Sequence, residues 1–166
     1  LVDALLRTYW QELHPVIEDD GDADARLAPL EWLNESLSAS VRVHAPLLVL
    51  GGKLPPLALA DWERMTALDV TPGLGAAREM AQGGDEAPLT RADIVFAAAQ
   101  MGGELARAGA AVVHSLDTLE GLAAWLDTRL GEQAPRLLKL RGVLEAVQRV
   151  LLQLQDAQAH DEAPED

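Results

Sequence analysis

Asp20, Asp22, Asp24 and Glu31 stand at the spacing of positions 1, 3, 5 and 12 of a calcium loop, with Leu27 at the apolar position 8. Four oxygen ligands so spaced could hold a hard cation. That loop, however, requires glycine at position 6 for its sharp turn, where this chain has Ala25, and Pro29 falls inside it. Helix capping explains the same residues without a metal. Gly73-Leu74-Gly75 resembles part of a dinucleotide-binding turn, but Arg78 occupies the third glycine position and no strand precedes it. Gly51-Gly52-Lys53 lacks the rest of a phosphate-binding loop. His14, His44, His114 and His160 include no pair at metal-ligand spacing on one helix. Ser36, Ser38, Ser40 and Ser115 have no nucleophile-elbow context, and nothing marks a pair of carboxylates as buried. The expectation is a protein without catalytic residues, metal or cofactor, whose function lies in its surfaces.

The elements that carry these residues begin with a helical hairpin over 5–37. Val2, Leu5, Leu6, Tyr9, Trp10 and Leu13 recur at spacings of three and four and form one apolar stripe. Pro15 biases His14 away from helical dihedrals, so the first helix is expected to end there. The acidic run from Glu18 to Asp24 reads as a solvated loop, and Asp22 or Asp24 can cap a second helix carrying Leu27, Leu30, Leu33 and Leu37. Trp10 and Trp32 are both expected to be buried in this hairpin. A third helix is expected over 36–50, then a break at Gly51-Gly52 and Pro55-Pro56. A short helix over 58–67 follows, with Trp62 facing inward.

Composition bounds the rest. The 166 residues are 49% hydrophobic but only 4% aromatic, so the core must be built mainly of Leu, Val and Ala, which suits helices. The net charge of −14 argues against nucleic acid, which is bound by displacing counterions with Lys and Arg, and against anionic membrane surfaces. With no cysteine there are no disulfides or thiolate metal sites, consistent with the cytosol. No apolar run reaches the ~20 residues needed to span a bilayer, and no signal peptide is visible. The chain starts at Leu1 apparently within a helix and looks like a piece of something longer.

Residues 70–88, rich in Gly and Pro, read as a linker with at most a helical turn at 76–81. Thr90 with Asp93 is a capping-box pair opening a helix whose buried side is Ile94, Ala97, Ala98 and Met101, ending at Gly102-Gly103. A long helix over 104–130 keeps a stripe of Leu105, Val112, Leu116, Leu119, Leu122, Leu126 and Leu130. Gly131 suits its C-terminal cap and Pro135 the first turn of the last helix. That last helix carries Leu137, Leu140, Leu144, Val147, Leu151 and Leu154, widened by Leu138, Val143, Val150 and Leu152. The stripe is either an oligomer interface or an internal core. The predicted architecture is all-α: helical hairpins in two small subdomains, 1–69 and 89–157, joined by the linker 70–88 and followed by an acidic tail, 158–166.

The opening stretch resembles the ImpA N-terminal domain family of bacterial type VI secretion. The resemblance is carried by Leu6, Tyr9, Trp10, Leu13, His14 and Pro15, by the acidic loop through Asp24, and by Arg26, Leu27, Leu30, Leu33 and Asn34, with Trp32 among them. Ala45-Pro46-Leu47-Leu48, Gly51 and residues 57–65 look like that family's end. The second half, from the Ala134-Pro135 turn onward, is similar to a middle domain that follows in longer members. The family's own N-terminal start and its ring-forming C-terminal domain have no counterpart here.

The resemblance implies a non-enzymatic cytoplasmic assembly component in a Gram-negative bacterium. Its partners would be the baseplate and the sheath and tube proteins of the contractile apparatus, with no nucleic acid and no membrane insertion. Homo-oligomerisation is expected from the excess apolar surface of the last helix, with Leu137, Leu140, Leu144, Val147, Leu151 and Leu154 as the candidate interface. The alternative is a helical module that binds a small ligand or regulates another protein, recognisable by a pocket with a few convergent polar groups.

Overall fold

The computed structural model describes residues 1–17, 23–49, 56–70 and 90–161. The acidic loop at 18–22, the Gly51-Gly52 break, nearly all of the expected linker and the last residues of the tail lie outside them, as do the readings placed there. Asp20, Asp22 and the Gly73-Leu74-Gly75 turn are among these.

The described chain is all-α apart from one small sheet. Its elements are α1 (Val2–Tyr9), α2 (Asp24–His44), β1 (Pro46–Leu48), β2 (Leu57–Ala58), α3 (Leu59–Val70), α4 (Arg91–Ala99), α5 (Gly102–Leu130) and α6 (Leu138–Asp161), with a 3-10 turn, Gly131–Gln133, between the last two. The strands pair antiparallel, Pro46 opposite Ala58 and Leu48 opposite Leu57, with a shift in register between those pairs.

Several boundaries differ from the expected ones. α1 ends at Tyr9, before the His-Pro pair, and the amides of Glu12 and Leu13 turn back onto the Tyr9 carbonyl. α2 runs without interruption to His44, so the expected second and third helices are one. Pro29 does not break it: the helix runs on through the second turn although the proline lacks the N–H that would bond the Ala25 carbonyl. β1 lies where that third helix was to finish. Gly102 begins α5 where a stop was expected. α6 starts at Leu138, three residues after Pro135, which lies in the extended approach.

Other signals hold. Thr90 and Asp93 form the full capping box: the Asp93 amide donates to the Thr90 hydroxyl at 3.3 Å, and the Thr90 amide to the Asp93 carboxylate at 2.9 Å. The Thr90 hydroxyl, then its amide, holds the Asp93 carboxyl below its ordinary pKa. Gly131 has φ of +55°, a left-handed conformation natural to glycine after a helix. Trp62 is buried in α3, as expected, with the Arg91 guanidinium 5.1 Å from its ring.

The chain divides into two compact units that are not consecutive in sequence. One comprises Leu1–Val41 with Ala111–Glu145, the other Arg42–Ala110 with Ala146–Asp166. This division differs from the sequential one expected at 70–88, most of which lies outside the described residues. α2, α5 and α6 each contribute residues to both units, because helices this long carry more apolar stripe than one small core can use.

The first unit is built around Leu6, Trp10, Ala23, Leu27, Leu30, Leu119, Leu122, Leu126, Leu137 and Leu140. In the second, the buried side chains include Leu47, Leu48, Leu59, Trp62, Ile94, Leu105, Val147, Val150, Leu151 and Leu154. The last-helix stripe is thus divided between two cores of the same chain.

Candidate functional site

The residues behind the family resemblance converge in the first unit. Trp10, 6% exposed, sits just past α1, and its ring meets Trp125 of α5 edge to face, centroids 5.3 Å apart. Arg26, in the first turn of α2, places its guanidinium 5.0 Å from the Trp10 ring. Arg7 and Arg129 lie over Trp125 at 5.6 and 4.6 Å.

Arg26 is buried, yet every face of its fork is used. Nη1 donates to the Trp10 carbonyl at 2.8 Å, Nη2 to the carbonyls of Leu13 and Pro15, and Nε to that of Pro15 at 2.9 Å. The chain from Trp10 to Pro15 leaves the helical ladder, so these carbonyls lack helical donors. Five planar donors on one side chain satisfy all three at once. The peptide bond between His14 and Pro15 is cis. Leu13 is half-buried against the core, while His14 and Pro15 are exposed.

Asn34 does similar work elsewhere. α6 opens with Leu137 before its first turn, a residue that cannot cap a helix with its side chain. Asn34, buried on α2, supplies the missing acceptor: its Oδ1 receives the Leu140 amide at 3.0 Å. Lys139 and Glu35 form an exposed ion pair beside it.

The sequence-predicted site residues therefore sort clearly. Trp10, Leu13, Leu27 and Asn34 belong to the unit's interior, and Arg26 holds the loop that precedes it. Tyr9 is half-exposed on α1. Trp32 is a correction: it is 68% exposed. The buried positions of α2 are Arg26, Leu27, Leu30, Asn34 and Ser38, and Trp32 lies two residues from both Leu30 and Asn34, on the far side of the helix. In the candidate interface, Leu137, Leu140, Val147, Leu151 and Leu154 are buried within the chain and Leu144 is partly so, whereas Leu138 and Leu152 stay 64% and 50% exposed.

Two open grooves mark the surface. In the first unit, a groove of about 660 Å³ runs along Trp32, Ala28, Glu31, Glu35, Glu132 and Arg136. In the second, one of about 590 Å³ lies along Leu59, Trp62, Thr66, Ala146 and Val150. Among the described residues no three His, Cys, Asp or Glu side chains are grouped to hold a metal ion.

Residues 1–35 match the family model described as ImpA, N-terminal, type VI secretion system. This match covers α1, the Arg26 contacts and α2 through Glu35, but not the 45–65 tract also read as similar. The fold is similar to the solved N-terminal domain, including the conserved ImpA_N region, of the TssA component of the type VI secretion system from Burkholderia cenocepacia. The TM-score is 0.64 at 24% identity, over 95% of this chain and 61% of that one. The chain thus spans about three fifths of the length of the structure it matches. That likeness runs through both halves, so the second half, read from sequence as a middle domain, has its counterpart inside a structure described as one N-terminal domain. No curated protein matches the chain.

The signal for Trp10 and Asn34 lay in the family pattern. No sequence signal announced that Arg26 would be buried against three carbonyls, although a lone Arg after an acidic loop can be seen to need partners. Among the described residues, no helix is long and apolar enough to cross a membrane.

Proposed function

We propose that the chain is a non-enzymatic structural component of a type VI secretion system that acts in the cytoplasm by binding baseplate and sheath–tube proteins. The observation that carries this reading is the family match over 1–35, where the matched residues build a rigid scaffold instead of a reactive site. Arg26 and Asn34 use their polar atoms on backbone groups of the chain itself. The likeness in fold to a TssA N-terminal domain supports the same reading.

Self-association belongs to this proposal. With the stripe of the last helix buried, it falls to the exposed side chains of that helix, Leu138 and Leu152.

The test is capture of interacting proteins by the tagged chain from a bacterium with an active type VI system. Recovery of sheath, tube or baseplate proteins is the expected result. Recovery of none, or only of proteins from another pathway, overturns the assignment. Light scattering of the parent and of Leu138→Glu and Leu152→Glu separately reads the self-association. A monomer in every case removes that part.

A further inference from the structure

We propose that the groove beside Trp32 is a docking site for a basic segment of a protein partner, an arginine or lysine side chain lying on the indole. The inference takes from the assembly reading only that a protein partner exists.

Trp32 exposes 68% of its surface, and no ring contact or cation lies over it among the described residues. The other indoles whose surroundings are described in this fold all have partners: Trp10 and Trp125 pair with each other and with arginines, and Trp62 has Arg91. Tryptophan faces attract guanidinium and ammonium groups, most strongly when the cation leaves water. Tryptophan is also enriched among the residues that carry the binding energy of interfaces.

The charges around it select the partner. The groove presents the carboxylates of Glu31, Glu35 and Glu132 against the single cation of Arg136. Lys139 engages Glu35, but Glu31 and Glu132 form no ion pair among the described residues. Both line the groove of about 660 Å³ that includes the indole, Glu31 from α2 and Glu132 from the 3-10 turn, so a cation on the ring would be within the field of both. The net charge of −14 steers basic partners toward the chain, and the carboxylates lining the groove disfavour a second acidic copy as its occupant. Nucleic acid is repelled for the same reason.

The probe is a fluorescein-labelled peptide of alternating arginine and alanine, followed by anisotropy at low and moderate salt. The parent chain should bind it, and more weakly as salt rises. Trp32→Ala should weaken binding about tenfold, a loss typical of a partly desolvated cation–π contact, with partial recovery in Trp32→Phe. Glu31→Gln with Glu132→Gln should weaken it comparably. Glu104→Gln with Asp117→Asn, on α5 and outside the groove, should leave it unchanged. Circular dichroism checks that each variant keeps its helices.

Binding that Trp32→Ala leaves intact, or that the α5 pair weakens as much as the groove pair, overturns the proposal in favour of general attraction to an acidic protein. Trp32-dependent binding in a chain that captures no type VI component sinks the secretion role and supports the groove.

Discussion

Trp10 and Trp32 lie in one family-matched segment and one compact unit, yet one indole is enclosed and the other stands in water. Around Trp10 the polar groups turn inward: Arg26 donates to three backbone carbonyls and Trp125 closes the ring's edge. Around Trp32 they turn outward, as Glu31 and Glu132 face an open groove. Residue type alone does not distinguish these two fates; helical register does. On α2 the buried positions are 26, 27, 30, 34 and 38, three of them polar or charged, and Trp32 falls between them on the opposite side. A matched family segment can therefore contain both a scaffold and a contact surface.

The largest effect should come from the scaffold. Trp10→Ala removes a buried ring that touches Trp125 and Arg26, and large-to-small aromatic changes of this kind cost about 3–5 kcal/mol. Urea unfolding monitored by circular dichroism reads it. A loss below about 1 kcal/mol would mean that Trp10 is no core residue and that the contrast with Trp32 is false.

Arg26 comes next and sharpens the point. Arg26→Met keeps the aliphatic stem over Trp10 but leaves the Trp10, Leu13 and Pro15 carbonyls without their donor, an expected cost of about 2–4 kcal/mol. Arg26→Lys should lose most of that too, because a single ammonium cannot reproduce the planar fork. Full stability in the lysine variant would show that charge, and not the geometry of the donors, holds the loop.

Asn34 tests a single hydrogen bond. Asn34→Ala withdraws the acceptor from the Leu140 amide and should cost about 1–2 kcal/mol, as helix caps do. The loss should be greatest for amide-exchange protection in the first turn of α6. Unchanged protection there would move the capping role elsewhere.

How much of this was legible in the sequence depends on which physical rule decided each feature. Local rules survived. The Thr90–Asp93 capping box, the left-handed Gly131, the inward Trp62 and the long α5 all follow from neighbouring residues and were read correctly. What failed depended on distant partners. Leu33 and Leu37 look like core on type, but the buried positions are Asn34 and Ser38, each polar group satisfied: Asn34 by the Leu140 amide and Ser38 by the Glu35 carbonyl. The stripe from Leu137 to Leu154 was visible, but the partner covering it was not, since periodicity marks an apolar face without saying what meets it. The non-consecutive units were invisible for the same reason: three helices contribute to two cores, and nothing local marks where one core ends. At the candidate site, the carboxylates beside Trp32 were readable as charges, but their groove required the turn at 131–133 to approach α2.

The smallest stability effect belongs to Trp32, and it completes the comparison. A side chain already 68% exposed has little surface left to lose from the interior and leaves no cavity when shortened. Trp32→Ala should therefore change stability by no more than about 0.5 kcal/mol, against several for Trp10→Ala. The same variant should nevertheless weaken the binding of a basic peptide. That separation matters more than either number, because a ring retained only for packing would show the reverse order. If Trp32→Ala unfolds the unit as readily as Trp10→Ala, the indole is covered in solution and the groove has no free face to offer. If it leaves the fold intact while reducing binding, the helix that builds the scaffold on one side carries a recognition residue on the other.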